Sequence, residues 1–240
     1  MVAINCDMGE SFSIYHCGDD EGLMPFVTVA NVACGFHASD PRVMTRTVKL
    51  AKHHGVKVGA HPSLPDREGF GRREMAMDRE ELTAAVVYQI GALSGFLRGE
   101  GMELHHVKAH GSLYGMASRD PEVAAAIADA ADVFGAPLMG LTGTVHEQAW
   151  GDRTAGFIAE YYADLDYRDD GSLIITREHQ AFDPAQSAER ALRAVTEGKA
   201  TSENGKEIPV RADTVCVHSD TPNAVELARA VNTALKPHLS

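Results

Sequence analysis

The chain has 240 residues, 44% of them apolar, which suffices for a sizeable core and excludes a disordered polypeptide. Its 22 basic and 34 acidic residues give a formal charge of −12, so a general grip on nucleic-acid phosphates is excluded as a default. No apolar run approaches the roughly 18 residues of a spanning helix, the first residues lack a signal-peptide layout, and the four cysteines form no C-x-x-C pair; a cytoplasmic protein with reduced thiols, no membrane or nucleic-acid partner and no zinc ribbon is expected.

Short β-branched runs alternate with longer segments of helical period. In chain order the pattern predicts strands Val2–Asn5 and Val27–Ala33, helix Asp40–His54, strand Val56–Ala60, helix Asp78–Gly99, strand Leu104–Lys108 and helix Asp120–Phe134. Strand Pro137–Leu141, helix Thr144–Gly151, strand Gly156–Glu160, helix Asp183–Glu197, strand Thr214–His218 and helix Asn223–Leu235 complete the series. Ser39-Asp40-Pro41 and Arg119-Asp120-Pro121 place a cap acceptor and a first-turn proline at helix starts, and Gly55, Gly99 or Gly101, and Gly135 are the expected stops. Tyr161–Arg177 reads as a loop or short hairpin over the mouth, and Gly198–Pro209 as a polar, turn-rich stretch too short to divide domains.

Alternation of this kind belongs to the α/β class and allows an open doubly wound sheet or a closed barrel. The open sheet would place G-x-G-x-x-G after its first strand, where this chain reads Asn5-Cys6-Asp7-Met8-Gly9-Glu10, and no phosphate loop of either common type occurs. Ionisable groups follow the strands instead: Asp7 and Glu10, His37 and Asp40, His61, Lys108 and His110, Glu160 and Asp164, His218 and Asp220. Chemistry collected from many carboxyl ends is how a β/α barrel builds a site, so a single β/α barrel over residues 1–240, of seven strands, is expected.

Asp7 and Glu10 stand three apart beside a glycine, where two acids in one cleft would have their pKa values pushed apart; turn and cap acceptors are the alternative. Cys34-Gly35-Phe36-His37 and Gly59-Ala60-His61-Pro62 each put a histidine at a strand end. With Asp7 the two histidines would make a three-ligand metal site, and the alternative is that they contact substrate. Cys34 reads as a small core residue and Asp40 as a helix cap. Pro65–Glu74 carries three arginines that suit an anionic small molecule; Arg73 fits a solvated charge run better, leaving Arg72 as a substrate contact. In Val107-Lys108-Ala109-His110 the period of two aims ammonium and imidazole into one pocket. Desolvation and a like charge would lower the lysine pKa; an ion pair with Glu160 or Asp7 is the competing reading.

These motifs, with Asn31-Val32-Ala33-Cys34-Gly35-Phe36-His37-Ala38, Phe70-Gly71-Arg72-Arg73, Tyr88-Gln89-Ile90-Gly91-Ala92-Leu93 and Lys108-x-His110-Gly111, resemble the LamB/YcsF family in order and spacing, from residue 2 to about residue 235. The resemblance implies a β/α barrel similar to those of glycoside hydrolases and polysaccharide deacetylases. It also implies a 5-oxoprolinase activity, the ATP-dependent opening of 5-oxoproline to L-glutamate, carried out with two partner subunits that resemble allophanate hydrolase. Without a phosphate loop here, ATP would be handled largely by those partners. The family usually has glycine at Ser39 and Ser219, proline at Ala109, and an arginine where this chain has Leu165.

The catalytic set on this reading is Asp7 or Glu10 as base and Lys108 with His110 as electrophilic clamp. His37, His61, Arg72 and Glu160 are the expected substrate contacts. The competing function is an autonomous metal-dependent deacetylase or amidohydrolase with Asp7, His37 and His61 as ligands of a divalent ion. A subunit that only binds a small acid is the third reading, and self-association of the chain is left open.

Overall fold

A computed structural model describes residues 1–174 and 180–239. Seven parallel strands close into a barrel, in the spatial order β1 (Ala3–Met8), β2 (Val29–Ala33), β3 (Lys57–His61), β4 (Leu104–Val107), β5 (Leu138–Gly140), β6 (Phe157–Tyr162) and β9 (Thr214–Val217), the last pairing with both β6 and β1. Around it lie α1 (Asp20–Leu23), α2 (Pro41–His54), α3 (Arg79–Gly99), α4 (Gly111–Ala117), α5 (Pro121–Asp132), α6 (Val145–Trp150), α7 (Pro184–Glu197) and α8 (Ala224–Leu235). The fold is an α/β barrel of the TIM type, as the strand-end chemistry anticipates.

Local chemistry explains the helix boundaries. Asp40, Asp78, Asp120, Asp183 and Thr144 each accept a hydrogen bond from a first-turn amide of the helix that follows, satisfying donors that have no partner inside the helix. Gly55 ends α2 at φ 69°, a left-handed conformation that costs glycine nothing. Ser39 adopts φ 72° without that freedom, a backbone conformation that glycine would hold unstrained.

Two strands run further towards the mouth than the apolar pattern alone indicates. β1 continues through Asp7 and Met8, paired with Asn31 and Val32, and β6 continues through Tyr162, paired with Cys216. Along β1 the apolar Ile4, Cys6 and Met8 alternate with Asn5 and Asp7, and the polar set meets polar side chains of the neighbouring strands β2 and β9. Asn31 donates to Asn5 Oδ1 at 2.8 Å and to Asp7 Oδ1 at 2.7 Å, His106 Nε2 donates to Asn31 Oδ1 at 2.6 Å, and Asn5 donates to Thr214 Oγ1 at 2.9 Å. This hydrogen-bonded floor fixes the side chains above it.

Regular structure also forms at α1, at α4 and in an added hairpin, where none is expected. α4 has seven residues, too few for a periodic signal, and β7 (Lys199–Thr201) with β8 (Glu207–Pro209) forms an antiparallel hairpin. Each hairpin strand contributes one buried residue, Ala200 and Ile208, so alternation could not reveal them. In the stretch expected as a loop or hairpin, Tyr167 bridges Leu173 antiparallel; Ile175–Arg177 lie outside the described residues.

Candidate active site

Strand ends from around the barrel deliver their side chains to one mouth. Lys108, directly after β4, is 2% exposed and sits 2.7 Å from Glu160 Oε1 on β6 and 3.0 Å from Asp7 Oδ1 on β1. Its remaining approaches are to Cys216 Sγ at 3.2 Å and Asn5 Oδ1 at 3.4 Å, so the three ammonium protons are engaged. Burial alone would lower its pKa, but Asp7 and Glu160 outweigh that and hold it well above the usual lysine value. The expected lowering is thus reversed, and the ion-pair reading describes Lys108. Asp7 responds in kind: burial would raise its carboxyl, yet His61 and Lys108 hold it well below the usual carboxylate range.

A second group, beside Lys108, contains three histidines and Glu10. His61 Nδ1 is 2.8 Å from the Lys108 carbonyl and His110 Nε2 is 2.7 Å from the Phe70 carbonyl; a carbonyl only accepts, so each of these nitrogens carries a proton. The other two nitrogens, His61 Nε2 and His110 Nδ1, face each other at 3.1 Å. Glu10 Oε1 lies 3.4 Å from His110 Nδ1 and 3.1 Å from His37 Nε2, and the His37 ring stacks on that of His110 with centroids 3.7 Å apart. Burial pushes the Glu10 carboxyl up and the His37 and His110 imidazoles well down, so both rings are neutral at neutral pH. Ser219 donates to Glu10 Oε2 at 3.4 Å, a contact a glycine there would not make.

The third wall carries cations. Arg72 pairs with Asp220 at 2.6 Å, and His218 Nδ1 lies 3.0 Å from Asp164. Burial works against a charge on His218, but Asp164 raises its pKa to about 9, so it is an imidazolium at neutral pH. Tyr162 donates to Glu160 Oε2 at 2.8 Å. Tyr114 is also buried here, its hydroxyl beside that of Tyr162.

Asp7, Glu10, His61, Arg72, Lys108 and His110 line one pocket, together with Tyr114, Tyr162, Leu165, Leu173 and His218. Its open space of about 50 Å³ has room for a few waters. His37 and Glu160, expected as substrate contacts, do not line it: His37 lies behind His110 and Glu160 beneath Lys108, so both position other side chains. The expected ligand set Asp7, His37 and His61 is also regrouped. Asp7 Oδ2 is 3.3 Å from His61 Nε2, but the compact group around His37 and His61 is completed by Glu10 and His110, while Asp7 Oδ1 is held by Lys108 and Asn31.

Among the neighbouring residues, Arg67 reaches the Gly35 and Ser39 carbonyls and Arg73 pairs with Asp66, so both tie loops together. Cys34 is a buried core residue and Asp40 caps α2, as read from sequence. Sequence reasoning passed over Asn31, Tyr114 and Tyr162 as site residues, and it placed Asp164 and His218 at strand ends without pairing them. For Asn31 and Tyr162 a signal existed: each is a polar group in an apolar strand, at the spacing that faces Asp7 or Glu160.

The LamB/YcsF family model matches residues 2–239. The A subunit of a 5-oxoprolinase from Thermus thermophilus is 50% identical over 241 residues, covering 98% of this chain and 96% of that protein. A lactam utilization protein lamB from Emericella nidulans is 46% identical over 230 residues, covering 94% and 90%. The crystal structure of a lactam utilization protein from Thermus thermophilus superposes with a TM-score of 0.91 at 49% identity, covering 98% of this chain and 96% of that one.

Proposed function

The chain belongs to the LamB/YcsF family, and from that premise we propose that it is the subunit of an ATP-dependent 5-oxoprolinase that hydrolyses the activated lactam to L-glutamate. The names of its relatives support the substrate class and, through the word subunit, the existence of partners; the assignment of ATP to two partner subunits of the allophanate-hydrolase type is drawn from the family resemblance.

A lactam is a resonance-stabilised amide. Transfer of a phosphoryl group to its oxygen gives an O-phosphorylated imidate; water adds to the ring carbon, the C–N bond breaks as the ring nitrogen takes up a proton to become the amine, and a second water cleaves the resulting γ-glutamyl phosphate to L-glutamate and phosphate. The observation that carries the proposal is the buried Asp7 carboxylate. Lys108 and Asn31 fix one oxygen and hold the group ionised, while the other stays at the pocket against His61. In this role Asp7 accepts the proton of the attacking water and returns it to the departing nitrogen. The Tyr114 hydroxyl, kept protonated because burial raises its pKa well above the usual value, donates a hydrogen bond to an oxygen of the tetrahedral intermediate. Arg72 and the His218 imidazolium attract the substrate carboxylate.

The test is glutamate release from 5-oxoproline by this chain with ATP and the partner subunits from the same source. Release should require all components, and Asp7→Asn should lower it by at least about a hundredfold with a folded protein. Release by this chain alone without ATP, or a folded Asp7→Asn variant at near wild-type rate, would overturn the proposal.

A further inference from the structure

We propose that Glu10, His37, His61 and His110 form a binding site for one divalent transition-metal ion of the zinc type. Lone pairs and distances carry this inference, which goes beyond the lactam reading without needing it. His61 and His110 each spend their ring proton on a backbone carbonyl, of Lys108 and Phe70. With both rings neutral, their other nitrogens present lone pairs that face each other at 3.1 Å, with two further acceptors close by, Glu10 Oε1 at 3.4 Å from His110 Nδ1 and Asp7 Oδ2 at 3.3 Å from His61 Nε2. Acceptors aimed at one another in a buried place repel unless something positive sits among them.

The spacing fits an ion. Ligands held about 2.0–2.1 Å from a tetrahedral zinc lie about 3.3 Å from each other, and the ligand atoms of these four residues all fall within 4.8 Å. Imidazole with a single carboxylate suits zinc, cobalt or nickel better than magnesium or calcium, which prefer oxygen shells. The carbonyl bonds behind His61 and His110 are the outer contacts that fix tautomer and ring direction in metal sites. His37 adds the fourth donor group, and its Nδ1 has no partner among the described residues.

The neighbouring group of Asp7, Cys216 and His218 is less suited. Lys108 lies 3.2 Å from Cys216 Sγ and 3.0 Å from Asp7 Oδ1, and Asp164 holds the Nδ1 side of His218.

The test is a titration of chelator-stripped full-length protein with Zn²⁺ and Co²⁺, read by calorimetry and by the visible bands of cobalt, without substrate. One equivalent should bind, cobalt should show the intense bands of four- or five-coordination, and His61→Ala and His110→Ala should each weaken binding at least tenfold while His53→Ala leaves it unchanged. Circular dichroism and melting verify that the variants fold. Wild-type protein that binds no stoichiometric ion would overturn the proposal, leaving a proton shared between His61 and His110 to relieve the repulsion; so would undiminished binding in folded His61→Ala and His110→Ala variants. Because the readout is binding, failure here and failure of the lactam assay are separate results.

Discussion

Lys108 decides how the rest of the mouth is read. A buried ammonium between Asp7 and Glu160 is neither a free proton donor nor a mobile clamp; it neutralises two carboxylates that would otherwise repel each other in the barrel. Removing it leaves two buried acids uncompensated. Lys108→Met should therefore cost about 3–5 kcal/mol of stability, measured by urea unfolding, with activity lost partly through the fold. A Met variant within about 1 kcal/mol of wild type would mean that the carboxylates find another partner or take up protons. Asp7 and Glu10 are separated by the same logic. His61 and Lys108 beside Asp7 hold it ionised, whereas Glu10, set against the neutral rings of His37 and His110, is pushed up by burial. The sequence presents them as an equivalent pair of acids, because which charge lies beside which acid is not a property of local spacing.

The elements were legible to within a few residues wherever a cap and a period coincided. Asp40-Pro41 and Asp120-Pro121 start α2 and α5 as their chemistry requires, and α3, with Asp78 as cap, runs to Gly99. α5 stops at Asp132, two residues before its expected end, and α4 and the β7–β8 hairpin are too short to carry a pattern. Strand β3 adds a packing requirement that no period shows. Gly59 lies against the His106 ring, and a Cβ there would overlap the imidazole that holds Asn31. Gly59→Ala should destabilise the protein by about 1–3 kcal/mol, read as a lower unfolding midpoint. An unchanged midpoint would show that His106 can move without loss to the barrel floor.

At the scale of the whole molecule, His218 links stability to pH. Its pKa rises from an ordinary 6.5 to about 9 in the fold because Asp164 stabilises the imidazolium. The sign follows from linkage: the native state binds the proton more tightly, so this contribution is fully present below about pH 6.5 and is lost as pH rises through about 9, amounting to about 3 kcal/mol. In urea unfolding, the stability advantage of wild type over His218→Gln should be larger at pH 6 than at pH 10. A constant difference across that range would exclude the linkage. No helix among the described residues is long and apolar enough to cross a membrane.

By itself the sequence determined the α/β alternation, the capped helix starts and the collection of acids, histidines and lysine after successive strands, since caps and side-chain periodicity are local properties. Barrel closure followed from the same strand-end pattern, and β9 completes it by pairing with β1 and β6. Only the tertiary structure decided the pairings at the mouth. Lys108 meets Asp7 and Glu160, His61 meets His110, and Asp164 meets His218. These partners are tens to more than a hundred residues apart in the chain. Their charge states depend on desolvation and on neighbours brought together by barrel closure, which no window of sequence contains.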